Sequence, residues 1–441
     1  MSSAGSIGVD FSLKELPKML PGLILCTILG WLALQWDYTI SELRKGHREA
    51  DSLIKPFQNL GKPIPSYEDY AKNKEDAYKG AMTLHQMGLE PNKPSKPYML
   101  KKAEFEELEK GKAIPFKFRF AEKVNEFQLT YVALLLLGGM LIRNTVGLSE
   151  VFKAGTLAAR PLIKPGIIIL GAYYMWSHVL KIGAIGLVLV VFFVMGTQML
   201  ISYWGRRAKV DPGLAGLMAA GVGVCGVSAA VAVAPVVNAK PRDFFYAIGT
   251  ILLFGTIGLF TFPYIGQALG MSQPVFGAWV GTAILNTAQL VAAATWYGHE
   301  ALLTANIINI VRVGFIPLIV LWTIYFYVVK PAVEAGGEAQ KVNVMQVVMD
   351  KFPIFIFGFF LIVTMNEFGM FNQAQRDILG RDLLRFFFAI GFAGVGLNIA
   401  FDDLKKAGGT AFVIGFVAAT LKAVLAAAAV IFLGNEVFAI K

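Results

Sequence analysis

The segment from Pro212 to Pro235 reads PGLAGLMAAGVGVCGVSAAVAVAP and is the most informative part of the chain. Its length is sufficient to cross a bilayer, because the hydrocarbon core needs about 20 apolar residues per helix. Gly221, Gly223 and Gly226 stand at its middle. Glycine in a helix interior is about 1 kcal/mol less favourable than alanine. The stretch therefore predicts a transmembrane helix that is broken near its centre.

The composition of the whole chain is that of an integral membrane protein. Of its 441 residues, 56% are hydrophobic and 16% are charged, whereas soluble domains are about 45–50% apolar and about 25% charged. The block 37–127 holds 32 of the 70 charged residues, so the remainder is more apolar still. A soluble enzyme is therefore disfavoured. A nucleic-acid partner is also disfavoured, because no basic stripe is interleaved with aromatic residues on a polar surface.

Apolar runs of suitable length predict eleven transmembrane helices, which together make an all-α integral membrane fold. They lie near residues 20–36, 126–142, 161–180, 182–203, 212–237, 243–262, 275–296, 301–329, 352–367, 381–401 and 408–434. The predicted organisation is an N-terminal segment with the first helix (1–36), an inserted polar block (37–127), and two transmembrane repeats (128–262 and 263–441). The polar block is predicted to be a small helical subdomain, with helices over Glu68–Gln86 and Leu100–Lys112. A solvated spacer is favoured over a partner-binding role for it.

The span 381–401 also carries its glycines in the middle, at Gly391, Gly394 and Gly396. The two glycine-interrupted spans are the fifth and the tenth. Once the first span is set aside, each is the fourth in a set of five. An odd number of helices forces the two sets into opposite orientations, so the pattern predicts two inverted five-helix repeats with crossing broken helices. The alternative explanation is that the glycines permit close packing between helices.

Two cations lie deep in predicted spans, Arg312 in 301–329 and Lys422 in 408–434, and no Asp or Glu lies comparably deep. Ionisable groups inside a membrane are costly and mark functional sites. Deep cations without deep carboxylates predict that the counter-ion is an anionic ligand. We assign this role to Arg312, whereas snorkelling or packing explains Lys422 at least as well.

Polar side chains surround Arg312 in the sequence. Asn306 and Asn309 precede it at helical spacing, and Thr282, Asn286 and Gln289 are spaced to share one face of the preceding span. A helix that restarts in mid-membrane would add free backbone amides, which we expect near Cys225–Ser228 and again near Asn398. The predicted substrate-binding residues are Gly223, Cys225, Gly226, Ser228, Asn286, Thr287, Gln289, Asn309, Arg312 and Asn398.

Several of these segments resemble the signatures of one family. Residues 224–235 resemble the cysteine–glycine–serine–alanine signature of the YeiH-like (UPF0324) sulfate exporter family, and residues 281–293 resemble its second signature. Arg312-Val313 fits a third signature, and Gly396-Leu397 with residues 403–406 resembles the C-terminal pattern. The resemblance runs from about residue 128 to about 434. It implies crossing broken helices in inverted five-helix repeats, core and panel domains that move relative to each other, and a homodimer.

The chain departs from the family pattern at three positions where ionisable residues are usual. A His-Asp pair is usual where this chain has Leu285-Asn286, and a Lys is usual where it has Asn309. The resemblance implies a secondary transporter in the bacterial inner membrane. We therefore expect a multi-pass protein in the lipid bilayer that moves a small anion, sulfate-like or another oxyanion, with sodium or a proton as a possible coupling ion. No resident metal or cofactor is expected.

Three other functions compete with anion transport. A membrane-embedded enzyme is disfavoured, because the chain has no HExxH-type metal pair and its four histidines are scattered. A cation–proton antiporter would share the fold but normally needs a deep carboxylate. A transport-inactive sensor or scaffold would act through the block 37–127. The identity of the anion, the direction of transport and the orientation in the membrane are not determined by the sequence.

Overall fold

The computed structural model describes residues 15–60, 63–86, 97–126, 130–334, 344–401 and 409–439. Within these ranges the chain forms helices and short connections, without a strand. Two compact units are present: Met1–Trp31 with Val132–Lys441 (the membrane unit), and Leu32–Tyr131 (the polar unit). The motif residues 403–406 lie outside the described ranges.

The described α-helices follow one another along nearly the whole chain. They are α1 Leu16–Leu60, α2 Tyr67–Gln86, α3 Lys102–Gly111, α4 Phe116–Glu126, α5 Tyr131–Thr145, α6 Glu150–Ala159, α7 Ile163–Leu170, α8 Trp176–Val190, α9 Gly196–Arg207, α10 Pro212–Gly223, α11 Val227–Val233, α12 Pro241–Ala268, α13 Gln273–Ala283, α14 Thr287–Tyr297, α15 His299–Gly314, α16 Ile316–Ile324, α17 Lys330–Glu334, α18 Val344–Lys351, α19 Phe355–Glu367, α20 Gln373–Asp377, α21 Arg385–Leu397, α22 Thr410–Leu433 and α23 Asn435–Phe438. Short π-helical segments join α8 to α9, α16 to α17 and α20 to α21.

Five helices in the described part of the chain are long and apolar enough to cross a membrane. They are Leu16–Pro56, Trp176–Arg207, Arg242–Ala268, His299–Val329 and Thr410–Leu433. The other six predicted spans correspond to shorter or interrupted helices. The protein is thus an all-α membrane protein, and its division into one helix plus two inverted repeats of five stays a prediction.

The polar unit has a hydrophobic core of its own. Phe105 and Phe118 are fully buried there, beside Ala50, Ile54 and Tyr70. The Leu100 amide donates to the Tyr70 hydroxyl at 3.0 Å. Burial raises the pKa of Tyr70 to about 12. The two helices predicted in this block are confirmed as α2 and α3.

The fifth predicted span is broken, as the glycines indicate. Helix α10 ends at Gly223, and α11 begins at Val227. At its outer end, α10 is capped by Asp211, whose carboxylate accepts from the Gly213 amide at 2.9 Å. A hydrogen bond from Lys240 to the same carboxyl group holds the pKa of Asp211 below its ordinary value.

The tenth span is not broken in the way the sequence predicts. Helix α21 runs without interruption through Gly391, Gly394 and Gly396. A Cβ built on Gly394 would lie 2.7 Å from the Thr156 carbonyl oxygen, and one on Gly396 would lie 2.4 Å from that of Leu135. These glycines therefore allow α21 to pack closely against α5 and α6, which is the alternative explanation given above.

The second break lies in the seventh span instead. Helix α13 ends at Ala283, and α14 begins at Thr287. Ile284 and Asn286 between them have extended backbones, with ψ of 130° at each. The long helix α12 packs against α10, α11 and α14. Within the described ranges, the clear mid-span breaks are therefore those between α10 and α11 and between α13 and α14, and the predicted pairing of spans five and ten is not confirmed.

Candidate functional site: the crossing of two broken helices

The two breaks meet at Gly226. This residue has φ of 69° and ψ of −115°, a backbone conformation that glycine adopts most readily. A Cβ built on it would lie 3.1 Å from the Leu285 carbonyl oxygen and 3.5 Å from the Asn286 Cα. The absence of a side chain thus lets the two interrupted backbones touch. We call this region the crossing, defined by residues 222–228 and 283–289.

Small residues bring α13 and α15 together, and this contact positions Arg312. A Cβ on Gly277 would lie 2.3 Å from the Ala301 carbonyl oxygen, and one on Gly281 would lie 3.1 Å from that of Ala305. The spacing of four residues in both helices gives two such contacts on one face. Two turns beyond Ala305 on the same helix, Arg312 reaches the end of α13.

Arg312 is fully buried and is held by backbone and amide oxygens. Its NH1 group donates to the Ile284 carbonyl at 2.5 Å, and its NH2 group donates to Asn309 Oδ1 at 3.2 Å. The Thr287 hydroxyl donates to the same Asn309 oxygen at 3.0 Å. Two donors, Arg312 Nε and Asn309 Nδ2, have no hydrogen-bond partner among the described residues. The group can therefore donate to a further acceptor.

Lys422 reaches the crossing from α22. Its side chain is buried, and its Nζ donates to the carbonyl oxygens of Val222 at 3.3 Å and Gly223 at 2.9 Å. These are the last two carbonyls of α10. Lys422 also lies within electrostatic range of Arg312 and Cys225. Both deep cations of the sequence therefore converge on the two breaks.

Cys225 lies in the first break and Ser228 lies in the first turn of α11. Cys225 is buried, close to the Ala229 amide and the Ser228 hydroxyl, and it lies within electrostatic range of Arg312. Ser228 is exposed, and Thr287 at the start of α14 is half-buried. The first turns of α11 and α14 thus lie at the accessible side of the crossing.

Three predicted residues have other roles in the structure. Asn286 caps α14, since its Oδ1 accepts from the Ala288 amide at 2.9 Å. Gln289 points to α12, where its Nε2 donates to the Thr256 hydroxyl at 2.9 Å and the Leu252 carbonyl at 3.1 Å. Asn398 donates to the Gly394 carbonyl within its own helix at 2.6 Å. The chain is not helical from Asn398 to Ala400 and is helical again at Phe401, so a restart near Asn398 is present; residues 402–408 lie outside the described ranges.

The expected shared face of residues 282, 286 and 289 does not form. That expectation assumed one continuous helix, whereas α13 ends at Ala283 and the backbones of Ile284 and Asn286 are extended. The Thr282 hydroxyl donates to the Ala278 carbonyl of its own helix instead. The stripe on α15 is intact, because that helix runs unbroken from His299 to Gly314.

Gln198 also lies near the crossing, although the sequence analysis did not single it out. Gln198 on α9 is fully buried, and its Nε2 donates to the Thr323 hydroxyl at 3.2 Å. Its Oε1 has no hydrogen-bond partner in the described part of the chain and would lie 3.5 Å from a Cβ built on Gly223. The available signal was that Gln198 is the only amide side chain in the uncharged span 182–203.

The crossing carries positive charge without a matching carboxylate. The only buried acidic side chain among the described residues is Glu104, which belongs to the polar unit. No ion pair joins Arg312 or Lys422 to an acidic residue within the described ranges. The same ranges contain no group of acidic, His and Cys side chains that could hold a metal ion.

A nearby cavity of about 390 Å³, between α12, α13 and α22, is lined almost entirely by apolar side chains.

The fold and the crossing define a multi-pass membrane protein in which two broken helices meet beside two buried cations. The family model described as Conserved hypothetical protein 698 matches residues 119–415. A UPF0324 membrane protein of Nitratidesulfovibrio vulgaris is 39% identical over 298 residues, which cover 68% of this chain and 82% of that protein. The UPF0324 inner membrane protein YeiH of Salmonella typhi is 30% identical over 285 residues, covering 63% and 78%.

The chain therefore belongs to the UPF0324 family of membrane proteins, the YeiH-like family that its motifs resemble. The matched region begins at residue 119, so most of the polar unit precedes it. No solved structure matches the chain.

Proposed function

We propose that this protein is a secondary transporter of a small anion, sulfate-like or another oxyanion, and that the anion binds at the crossing. The observation that carries this proposal is the convergence of Arg312 and Lys422, both buried, on two helix breaks where the described residues supply no carboxylate. A buried charge without a partner is strongly unfavourable. A bound anion would supply the missing charge.

The hydrogen-bonding groups at the crossing suit such a ligand. Arg312 Nε and Asn309 Nδ2 are donors without a partner in the described ranges, and buried donors are rarely left unpaired. The first turn of α14 adds backbone amides and the positive end of a helix dipole. Ser228 and Thr287 contribute hydroxyl groups at the accessible side. Several groups that can donate to an anion are therefore gathered at the crossing, beside one acceptor without a partner in the described ranges, Gln198 Oε1.

Alternating access would expose the crossing to each side of the membrane in turn. We infer that the core and panel domains implied by the family resemblance move relative to each other, in a homodimer within the bacterial inner membrane. Gln289 and Asn286 would stabilise the crossing through α12 and the α14 cap, rather than contact the anion. Asn398 lies outside this proposed site.

The competing transport function has less support from these contacts. A cation–proton antiporter needs a deep carboxylate to bind its ion, and the buried acidic side chain among the described residues is in the polar unit. A scaffold acting through the polar unit stays a separate proposal. Deletion of residues 37–127 would abolish the effect of a scaffold but leave the flux of a transporter.

The test is anion binding by purified protein in detergent. Sulfate, bicarbonate and small sulfonates are titrated while the melting temperature is recorded, and at least one of them should raise it. Arg312→Gln should abolish this increase, because it removes the buried charge and the free Nε donor. Arg207→Gln removes one positive charge from an exposed helix end and serves as the matched control.

Flux measurements complete the test. Radiolabelled anions are offered to proteoliposomes that contain wild-type protein, Arg312→Gln or Arg207→Gln. Uptake should require Arg312 and should be insensitive to the Arg207 change. An anion-dependent stabilisation that survives in Arg312→Gln would refute the assignment of this residue. The absence of any stabilising or transported anion would refute the proposed function itself.

A further inference from the structure

The end of α10 leaves carbonyl groups that must find donors inside the membrane. The last four carbonyl oxygens of any α-helix have no partner within that helix. For α10, the Ala220 oxygen accepts from the Val224 amide at 3.1 Å, and the Gly221 oxygen accepts from the Gly226 amide at 3.0 Å. The remaining two, on Val222 and Gly223, accept from Lys422 Nζ. The ammonium group of Lys422 thus supplies the donors for the last two carbonyl oxygens of α10.

The same helix end carries negative electrostatic potential. A helix C-terminus corresponds to about half a negative charge, and this one lies at mid-membrane, where water does not screen it. In transporters with discontinuous helices, such C-terminal ends and unwound carbonyls coordinate a coupling cation. Here the side chain of Lys422 already places a positive charge on these oxygens.

The packing of α22 fits this arrangement. Its buried stripe consists of small residues around the lysine, including Gly415, Ala418 and Ala426. Ala418 and Ala426 stand one turn before and one turn after Lys422 and are almost completely buried. The small side chains let α22 approach α10, so that the lysine stem lies along apolar surface while its ammonium group reaches the break.

We propose that the C-terminal end of α10 is a cation site whose resident cation is the ammonium group of Lys422. The protein therefore carries this cation covalently, and anion transport needs no free sodium at that position. This inference rests on the proposed function for its consequence in transport, but the cation site itself does not depend on which anion is bound.

The direct test replaces the tethered cation with a free one. Lys422→Ala leaves a buried space beside the two carbonyl oxygens, and propylammonium has the shape to fill it. In detergent, without any added anion, propylammonium should raise the melting temperature of Lys422→Ala by several degrees and leave that of the wild type unchanged. Lys422→Met fills the space with an uncharged side chain, so its melting temperature should not respond.

Lys181→Ala is the matched control for this experiment. Lys181 also donates to a backbone carbonyl, that of Glu436 at 2.9 Å, but its side chain is exposed. Propylammonium should not stabilise this variant, because water replaces an exposed lysine. An equal response of Lys181→Ala and Lys422→Ala would overturn the inference, and so would the absence of any response in Lys422→Ala.

Transport provides a second test, with the wild type and with Lys422→Ala. Anion flux by the wild type should be the same with external sodium as with N-methylglucamine, whose bulky cation does not fit the site. A wild-type flux that requires sodium would overturn the consequence for transport, while the propylammonium experiment decides the cation site itself. Lys422→Ala should lose about tenfold or more of the flux, since hydrogen bonds to a charged group are lost, and propylammonium should restore part of it.

The two proposals fail in distinguishable ways. If no anion stabilises or crosses with the wild type, the proposed function fails, while the propylammonium experiment still reports on the cation site. If anions bind and move but propylammonium does not stabilise Lys422→Ala, the function stands and the tethered cation is wrong.

Discussion

Each of the two breaks at the crossing is stabilised by a buried cation, but different residues form the two breaks. The α10–α11 break depends on glycine: Gly226 has a left-handed φ, and a lysine from α22 binds the preceding carbonyls. The α13–α14 break has ordinary extended backbone, an asparagine cap, and an arginine from α15 that binds the Ile284 carbonyl. In each, a buried cation stabilises a helix end inside the membrane.

This difference indicates which residues of each break should tolerate substitution. A break made by backbone conformation is intolerant of any side chain at its critical residue. A break made by a side-chain cap should accept every residue that can cap. Both need a donor for the carbonyl oxygens near the helix end, because the surrounding hydrocarbon offers none. Each of the following experiments changes one of these features.

The largest effect is expected at the point where the breaks touch. Gly226→Ala introduces a Cβ 3.1 Å from the Leu285 carbonyl oxygen, in a conformation that alanine rarely adopts. Strain of this kind amounts to about 1–3 kcal/mol, and the close contact adds to it. The melting temperature should fall sharply, and anion-induced stabilisation should be lost.

Gly223→Ala is the control for the first break. Gly223 is helical, and a Cβ there would meet its nearest atoms at 3.4–3.5 Å, which is ordinary contact. Its melting temperature should change little. Equal destabilisation by the two substitutions would show that the left-handed conformation of Gly226 is not what makes this break intolerant.

A smaller but clear effect is expected where α13 packs against α15. Gly277→Ala places a Cβ 2.3 Å from the Ala301 carbonyl oxygen, so the helices must separate. Overpacking of this kind destabilises by about 1–3 kcal/mol. It should also weaken anion-induced stabilisation, because Arg312 would move away from the end of α13.

The control for this prediction also faces α15. A Cβ on Gly183 of α8 would lie 3.9 Å from Ile307, so Gly183→Ala should be tolerated. Thermal unfolding and anion titration of Gly277→Ala and Gly183→Ala would distinguish the effects of the two substitutions. If Gly277→Ala retains the wild-type anion response, the close approach of α13 and α15 is not what positions Arg312.

The smallest effect is expected at the cap of the second break. Asn286→Ala removes the acceptor for the Ala288 amide and should lower the free energy of unfolding by about 1 kcal/mol. Asn286→Ser retains a capping oxygen and should stay close to the wild type in thermal unfolding. A serine variant as unstable as the alanine variant would mean that Asn286 acts by more than its cap.

The sequence predicts the first break because glycine is conspicuous in an apolar helix. The second break is hidden, since Ile284 and Leu285 are apolar and continue the hydrophobic run. The weak signal is Asn286 itself, a residue type that favours the position just before a helix. The glycines of α21 led to the opposite error, a break predicted where the helix is continuous. Glycine that permits close packing has the same local pattern as glycine that interrupts a helix.

The residues of the candidate site also fall into those whose roles the sequence could predict and those whose roles it could not. Arg312 and Asn309 were predictable because a cation and amides inside a membrane need a polar neighbourhood. The roles of Gln289 and Asn398 were not predictable, because each depends on which helix lies opposite. Lys422 could be recognised as deep, but only the position of α10 distinguishes a contact with helix-end carbonyls from snorkelling.

By itself, the sequence determined that this is an α-helical membrane protein, that one span is broken by glycines, and that deep cations occur without deep carboxylates. Composition and local residue pattern are sufficient for these conclusions. The tertiary structure alone decided which second span is broken, and that Arg312 and Lys422 meet at one crossing. The physical reason is that helix-end carbonyls are satisfied by side chains from helices distant in sequence, and only the packing brings those partners within hydrogen-bond distance.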